Sequence, residues 1–341
     1  MWSVIGHEIE GERFKRALST GNLGHAYIIS GMPHVGKMTL ALALAQSLNC
    51  HQQDTPCGAC HVCQRITAST HPDVRVVSWC DFGEKSHSRT EISIKQVRDD
   101  IQYWTNLPPF EGGYRVFIIE DAERLSSEAA NCLLKTLEEP QEKVLFLLLC
   151  KDSTHLPETV VSRCQLLDLK PVAATKIEAA LLARGLTAEK ALLLSRLSRG
   201  CPGWALLAAF DNNVLERRGE CLDCLLKVLS SSLEVRFEYA AELATHFAQK
   251  RIEVQEVLES LLGIWRDLLL LKADMSSEIV NLDYIDRLQM LAECFDMDGI
   301  RKGITAVNAV TKQLWQNVSP RLALEVMMLD MPMANLLGIK V

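Results

Sequence analysis

Apolar positions follow two different rhythms along the chain, and the change comes near residue 171. Before it, short apolar runs alternate with segments whose apolar residues recur at helical spacing. The runs predict strands at 26–29, 74–77, 116–119 and 144–149, and the segments between them predict helices at 37–49, 94–105 and 127–137. Strands that are apolar on both faces and alternate with helices are typical of a parallel sheet covered by helices. The first part is therefore a predicted α/β domain.

Beyond residue 171 the strand pattern ends and amphipathic helices follow one another. They are predicted at 176–183, 188–199, 214–230, 233–249, 254–272, 284–295 and 300–315. A turn at 200–203 and the segment 210–213 (Phe-Asp-Asn-Asn) mark breaks between them. We therefore expect three domains: an α/β domain over 1–170, a small helical domain over 171–210 and a C-terminal helical domain over 211–341.

Composition narrows the function classes. The 341-residue chain is 48% hydrophobic and 23% charged, as in ordinary soluble proteins. No apolar run approaches the roughly 20 residues that span a bilayer, and the start lacks a signal-peptide pattern, so we expect a cytoplasmic protein without membrane contact. The net charge of −7 disfavours a protein that grips DNA over a broad surface of its own. Contact with DNA would then depend on partner proteins.

A phosphate-binding loop is predicted between the first strand and the helix that follows it. The segment Gly31-Met32-Pro33-His34-Val35-Gly36-Lys37 lies between them, which is the context that such a loop requires. The glycines allow a tight turn whose N–H groups point at phosphate, and the helix N-terminus adds partial positive charge. We expect Gly31, Gly36 and Lys37 to be nucleotide-binding residues, with Lys37 reaching the terminal phosphates.

The residue after Lys37 departs from this motif. The motif calls for a Ser or Thr hydroxyl as a magnesium ligand, and here Met38 stands there with a soft thioether. Thr39 comes next, but one residue turns about 100° around a helix and should face elsewhere. Pro33 also removes one backbone donor. A loop that no longer binds nucleotide productively is the alternative interpretation.

The third predicted strand ends in Glu120-Asp121. Related ATPases place Asp and then Glu there, to hold magnesium and to orient water, so each carboxylate is wrong by one methylene. Because positioning dominates phosphoryl transfer, we expect hydrolysis to be poor or absent. Thr39, Glu120 and Asp121 stay candidates for a degenerate site for ATP and magnesium, and binding without cleavage stays open.

Four cysteines predict a metal centre just after the helix of the loop. Cys50, Cys57, Cys60 and Cys63 have the spacing C-x6-C-x2-C-x2-C, and Gly58 favours the turn that brings the thiolates together. In a reducing compartment such spacing indicates metal, not disulfides. Four thiolates complete a tetrahedral zinc with no open position, so we expect a structural zinc module.

Three further segments carry a resemblance to a known family. They are 24–27 (Gly-His-Ala-Tyr), 131–140 (Asn-Cys-Leu-Leu-Lys-Thr-Leu-Glu-Glu-Pro) and 156–164, which ends in Ser-Arg-Cys. With the phosphate loop and the cysteine insertion, they resemble the bacterial clamp-loader subunits of DNA polymerase III, which are AAA+ proteins. The resemblance implies an AAA+ domain, a helical lid domain and an all-α collar domain. It also implies gamma/tau and delta subunits as partners, and loading of the sliding clamp onto primed DNA through the complex.

The departures favour one branch of that family. Motor subunits (gamma/tau) hydrolyse ATP, whereas delta-prime subunits serve as a rigid stator. Met38, the Glu120-Asp121 order, Cys150-Lys151 in place of the motor's threonines, and Gly203 in place of its sensor arginine all resemble delta-prime. The resemblance implies that Arg163 acts as an arginine finger on a neighbour's ATP; a local salt bridge is the alternative.

Two other functions stay open at this stage. One is an ATP-hydrolysing gamma/tau-type subunit, in which Thr39 or a water replaces the missing magnesium ligand. The other is a zinc-stabilised nucleic-acid-binding module with a vestigial phosphate loop. The acidic charge and the lack of an aromatic and basic surface pattern count against the second.

Overall fold

The structure is a computed structural model that describes residues 4–52, 55–79, 91–105, 107–111, 113–314 and 318–333. It has two compact units. The first contains Met1–Arg184 and Gly200–Trp204, and the second contains Gly185–Arg199 and Ala205–Val341. The three-domain division at 1–170, 171–210 and 211–341 stays a prediction.

A parallel five-stranded sheet forms the centre of the first unit. The strands are β1 Ala26–Gly31, β2 Val74–Val77, β3 Arg115–Ile119, β4 Val144–Cys150 and β5 Gln165–Leu169. Their order across the sheet is β2-β3-β4-β1-β5, so β1 lies between β4 and β5. The predicted α/β class is confirmed. Strand β5 was not predicted, because this edge strand exposes most of its residues and lacks an apolar run.

Helices cover this sheet. Those of the first unit are α1 Glu8–Thr20, α2 Lys37–Asn49, α3 His61–Thr67, α4 Ile94–Val97, α5 Tyr103–Thr105, α6 Ser127–Glu138, α7 Glu158–Val161 and α8 Ala174–Leu182. A π-helical turn, Arg98–Gln102, joins α4 to α5, so the predicted helix at 94–105 has a widened middle turn. Helix α1 was not predicted because Phe14 is its one large buried apolar side chain.

The strands bury both faces because successive residues point to opposite sides. Ile28, Phe117 and Phe146 belong to one apolar cluster, together with side chains of α4 and α6. Ile29 and Ile118 belong to a second cluster, together with side chains of α1 and α2. The carboxyl ends of β1, β3 and β4 meet at one edge of this parallel sheet, where ligands of open α/β folds usually bind.

From residue 185 on, the described secondary structure is helical. The helices are α9 Ala188–Leu197, α10 Pro202–Phe210, α11 Asn212–Leu229, α12 Leu233–Gln249, α13 Arg251–Lys272, α14 Ile285–Glu293, α15 Met297–Gln313 and α16 Pro320–Asp330. Residues 200–203 were predicted to form a turn, but α10 begins at Pro202, a residue well suited to a first helical turn. Helix α16 was not predicted. No helix of the described residues combines the length and apolar content that crossing a membrane requires.

Close helix contacts hold the second unit together. Trp265 of α13 is fully buried, and a Cβ at Gly303 of α15 would lie 2.4 Å from its ring. The guanidinium of Arg236 in α12 is also buried, and it donates to the carbonyls of Leu229 at 2.7 Å and Met331 at 3.2 Å. Leu229 is the last residue of α11, and Met331 directly follows α16. Arg236 of α12 therefore connects three helices.

Candidate functional site

The predicted phosphate loop has the strand–turn–helix geometry that its motif requires. Strand β1 ends at Gly31, and α2 begins at Lys37. Positive φ angles occur at Gly31 (148°), His34 (60°) and Gly36 (118°). A Cβ at Gly31 would also lie 2.7 Å from the carbonyl oxygen of Leu169 in β5. Gly31 is therefore required by both its backbone conformation and its neighbour.

Lys37 folds back onto the loop itself. Its ammonium donates to the carbonyl oxygens of Gly31 at 2.5 Å and Met32 at 3.0 Å. Burial lowers the pKa of Lys37, and the negative charges of Glu123 and Asp121 partly oppose this effect. In this arrangement the charge of Lys37 is held by the chain's own oxygens.

Neither Met38 nor Thr39, the two residues after Lys37, places a hydroxyl at the loop. Met38 is partly buried and packs on the apolar cluster under α2. Thr39 is exposed on the helix surface, as its one-residue offset predicts. The position that would supply a magnesium ligand is therefore occupied by a thioether.

The two carboxylates after β3 have different surroundings. Asp121 has a positive φ of 48°, and its Oδ2 accepts a hydrogen bond from the indole of Trp79 at 3.0 Å. Glu120 lines a cavity of about 830 Å³ beside β2, together with Arg75 and Asp100. No lining residue of that cavity belongs to the phosphate loop.

A third carboxylate, which the sequence analysis missed, stands next to the loop. Oε1 of Glu123 accepts a hydrogen bond from the N–H of Lys151, just beyond β4, at 3.3 Å. The carbonyl of Lys151 in turn accepts from the N–H of Gly31 at 3.2 Å. Burial, and next the charge of Glu123, raise the pKa of the Cys150 thiol to about 12. The available signal was an acidic residue two positions beyond the expected pair.

Residue 203, where the motor subunits' sensor arginine was expected to be missing, contacts the loop through its backbone. The N–H of Gly203 donates to the carbonyl of His34 at 2.9 Å. A Cβ added at Gly203 would lie 2.8 Å from that same oxygen. This position therefore has no room for a side chain while the contact persists.

The four predicted cysteines come together. Cys50 follows α2, Cys60 caps the start of α3, and Cys63 lies within α3. Their sulfurs are separated by 3.6 Å (Cys50 to Cys57), 3.9 Å (Cys50 to Cys60) and 3.8 Å (Cys57 to Cys63). Sulfurs 2.3 Å from a tetrahedral ion lie about 3.8 Å apart, whereas a disulfide joins sulfurs about 2.0 Å apart. The cluster therefore has the dimensions of a site that can hold a tetrahedral metal ion.

The surroundings of the cluster act in opposite directions on the thiols of Cys57 and Cys63. Cys60 N–H donates to Sγ of Cys57 at 3.3 Å, and Cys63 N–H donates to Sγ of Cys60 at 3.4 Å. The N–H of Cys60 is the main cause that lowers the pKa of Cys57, to about 6. Burial raises the pKa of Cys63 to about 12. A metal ion would supply the positive charge that the thiolate of Cys63 needs.

The cysteine module is tied to the segment before β3. Arg65, in α3, forms an ion pair of 2.7 Å with Glu111. The N–H of Glu111 in turn donates to Asp73 at 2.9 Å, and Asp73 forms a buried ion pair of 2.9 Å with Arg115. The module is therefore connected through charged side chains to the start of β3.

Arg163 follows α7 and is paired within the chain. Its Nε donates to Oε1 of Glu138 at 2.9 Å, and its Nη1 donates to the carbonyl of Thr159 at 2.8 Å. The side chain of Arg163 is 32% exposed and that of Glu138 is 50% exposed. The local salt bridge that the sequence analysis left as an alternative is present, at a surface that a neighbour could reach.

Two family models match this chain. One, described as DNA polymerase III, delta subunit, matches residues 6–173, and the C-terminal model of the same subunit matches residues 214–332. The chain belongs to the DNA polymerase III delta-subunit family. The two matches include the phosphate loop, the cysteine module, Arg163 and most of the helical second unit.

Two curated relatives and one solved structure are similar to this chain. The chain is 27% identical over 305 residues to DNA polymerase III subunit delta′ of Bacillus subtilis, which covers 89% of both chains. It is 32% identical over 281 residues to subunit tau of Escherichia coli, covering 76% of this chain but 42% of tau. A solved Thermotoga maritima structure, a DNA polymerase III gamma subunit-related protein, is 19% identical with a TM-score of 0.46, covering 93% of this chain and 97% of that one.

Proposed function

We propose that this chain is a clamp-loader subunit of the delta-prime type, acting in the cytoplasm. It serves as a stator that helps load the sliding clamp onto primed DNA, in a DNA polymerase III complex with gamma/tau and delta subunits. The similarity to subunit delta′ over 89% of both chains supports this branch. Tau is matched over 42% of its length, so the similarity to tau supports the shared domains and not the whole of tau.

The main support for a stator is that the phosphate loop is satisfied by the chain itself. Lys37 donates to two loop carbonyls, and Gly203 donates to His34. Met38 leaves the magnesium position without a hydroxyl. We infer that this chain does not turn over ATP, and that the alternative of a gamma/tau-type motor is disfavoured.

Arg163 is the residue that we propose to act on a neighbouring subunit. Its pair with Glu138 is solvent-accessible, and such exposed pairs contribute about 0–1 kcal/mol. A nucleotide phosphate carries more charge than one carboxylate, so a neighbour's ATP can displace Glu138 as the partner of the guanidinium. Where an arginine finger operates, it accelerates hydrolysis by roughly 10³–10⁵.

The test is made in the assembled complex. Arg163→Ala is combined with gamma/tau and delta subunits, and the clamp-loading rate on primed DNA is measured beside the wild type. Arg184→Ala is the matched control, because Arg184 is an exposed arginine on the same unit. We expect Arg163→Ala to lower the rate at least about tenfold, with the complex still assembled. An unchanged rate would reject the finger.

We also propose that the four cysteines hold a structural zinc ion. The four sulfurs all lie within 4.8 Å of one another, and four thiolate ligands leave a zinc ion no open position for substrate, which supports a structural role. Metal analysis of the purified chain should find one zinc per molecule. Cys57→Ser should lower this content, and Cys132→Ser, a cysteine outside the cluster, should not. Full zinc occupancy in Cys57→Ser would contradict this ligand set.

A further inference from the structure

Glu123 is a carboxylate that neither the motif nor the proposed function assigns. Its Oε1 accepts from Lys151 N, whose carbonyl accepts from Gly31 N, and the carbonyl of Gly31 accepts from Lys37. Three hydrogen bonds, linked through the backbone of Lys151 and of Gly31, therefore connect Glu123 to the lysine of the loop. The second oxygen of Glu123 is buried and has no hydrogen-bond partner in the described part of the chain.

A buried carboxylate oxygen without a partner needs nearby positive charge. Among the charges that act on Lys37, that of Glu123 has the largest effect on the lysine's pKa, after the effect of burial. The two groups do not form a close ion pair, since Lys37 donates to the carbonyls of Gly31 and Met32. Glu123 therefore lies where the carboxyl ends of β3, β4 and β1 meet, in contact with Lys151, and it acts on Lys37 through its charge and not through a direct contact.

We propose that Glu123 is a built-in anion that stands in for the terminal phosphates of a nucleotide and keeps phosphate out of this loop. The inference rests on the proposed function, in that it treats the loop as one without turnover. It goes further by assigning the exclusion of phosphate to one side chain outside the motif.

The missing magnesium ligand explains why the carboxylate of Glu123 would exclude phosphate from this loop. Motor ATPases also hold carboxylates near the phosphates, but a magnesium ion lies between the two and cancels their repulsion. In this chain Met38 replaces the hydroxyl that helps to hold that ion. Without the ion, the carboxylate of Glu123 and a phosphate repel each other in a partly buried site, where charges are weakly screened. We expect this repulsion to weaken binding by about tenfold or more.

The experiment compares anion binding by the full chain and three variants. Glu123→Gln removes the charge and keeps an oxygen that can accept from Lys151 N. Glu128→Gln is the matched control, since Glu128 is exposed in the first turn of α6. Glu123→Gln combined with Lys37→Ala tests whether any new binding uses the loop. Inorganic pyrophosphate and ATP, each with and without magnesium, are titrated by calorimetry.

We expect Glu123→Gln to bind pyrophosphate at least about tenfold more tightly than the wild type and Glu128→Gln, with loss of this gain in the double variant. The gain should not require magnesium. Unchanged pyrophosphate binding in Glu123→Gln would overturn the inference. Weaker, magnesium-dependent binding would also overturn it, because Glu123 would then be a metal-site carboxylate.

These outcomes are separate from the test of the proposed function. If the wild type binds ATP tightly but does not hydrolyse it, the assignment of Glu123 fails while the stator role stands. If Arg163→Ala leaves clamp loading unchanged, the finger fails while pyrophosphate binding by Glu123→Gln still decides the role of Glu123.

Discussion

Asp73 and Arg115 form the most deeply buried ion pair among the described residues of the first unit. Loss of this pair should therefore lower the stability of the unit more than loss of any other described ion pair. Both side chains are almost fully buried, and Nη2 of Arg115 lies 2.9 Å from Oδ1 of Asp73. The same guanidinium donates to the carbonyls of Trp104, Leu107 and Pro108. The guanidinium of Arg115 thus binds the segment between α5 and β3, and the carboxylate of Asp73 balances its positive charge.

The expected loss in the free energy of unfolding follows from the unpaired charge of Arg115 in the Asp73→Asn variant. The variant removes the only carboxylate within 4 Å of Arg115 among the described residues. Removing one partner of a buried ion pair typically costs about 3–5 kcal/mol, because the remaining charge is uncompensated, so we expect about 3 kcal/mol at pH 7. The substituted amide would also offer a single acceptor oxygen where Asp73 uses two, accepting from Phe110 N–H at 2.7 Å and Glu111 N–H at 2.9 Å.

The pH dependence has a definite sign. Burial alone would raise the pKa of Asp73, but the N–H groups of Glu111 and Phe110 and the charge of Arg115 outweigh it and lower the pKa. A carboxyl with a lowered native pKa stabilises fully above its unfolded pKa of about 3.9. That contribution is lost as the pH falls through the native pKa. The difference between wild type and Asp73→Asn should therefore shrink below about pH 4.

Hydrogen exchange measured by mass spectrometry on peptides spanning 104–119 provides the assay, since it reports the opening free energy of this segment. Asp99→Asn, at an exposed position, is the matched control. Asp73→Asn combined with Arg115→Met should recover part of the loss, because no lone charge stays buried. A cost below about 1 kcal/mol at pH 7, or a difference that persists unchanged to about pH 3, would refute this reasoning.

Two further predictions concern the cysteine module and the loop. If the cysteines hold the proposed zinc, its removal by a chelator should speed hydrogen exchange in α3. Exchange at 107–111 should also speed up, because the ion pair of Arg65 and Glu111 connects the two segments. Unchanged exchange at 107–111 would show that this ion pair does not couple them. Gly203→Arg should lower the stability of the first unit by about 1–3 kcal/mol in thermal unfolding. It should not restore ATPase activity, because its Cβ would meet the carbonyl of His34 at 2.8 Å. A stable, ATP-hydrolysing variant would contradict this prediction.

Most of the sheet could be predicted because buried strands have a strong local pattern. The runs that form β1, β3 and β4 are apolar on both faces, and the helices between them follow helical spacing. Strand β5 could not be predicted, because its place at the edge of the sheet exposes most of its side chains. The π-helical turn at Arg98–Gln102 leaves no local signal either, since the flanking helices continue through it.

In the candidate site, too, the features formed by residues close in sequence could be predicted, and those formed by distant residues could not. The cysteine cluster was predictable because its four cysteines lie within one short segment and converge through one turn. Glu123 could not be assigned, because its position depends on the positive φ of Asp121 and on the neighbouring end of β4. The contact of Gly203 with His34 joins residues far apart in sequence, which spacing alone does not reveal.

The residues that keep the pattern of a nucleotide site also have structural roles. Gly31 is required because its φ is positive and a Cβ would meet Leu169. Lys37 donates to the carbonyls of Gly31, at the end of β1, and of Met32, and so helps to hold the turn of the loop. The hydroxyl that only magnesium needs is absent at Met38. The motif residues that the fold requires, Gly31 and Lys37, are present, whereas the hydroxyl that would serve only ATP hydrolysis is not. The presence of the motif is therefore poor evidence that this chain hydrolyses ATP. On this reasoning Lys37→Ala should impair the stability of the loop and leave clamp loading dependent on Arg163.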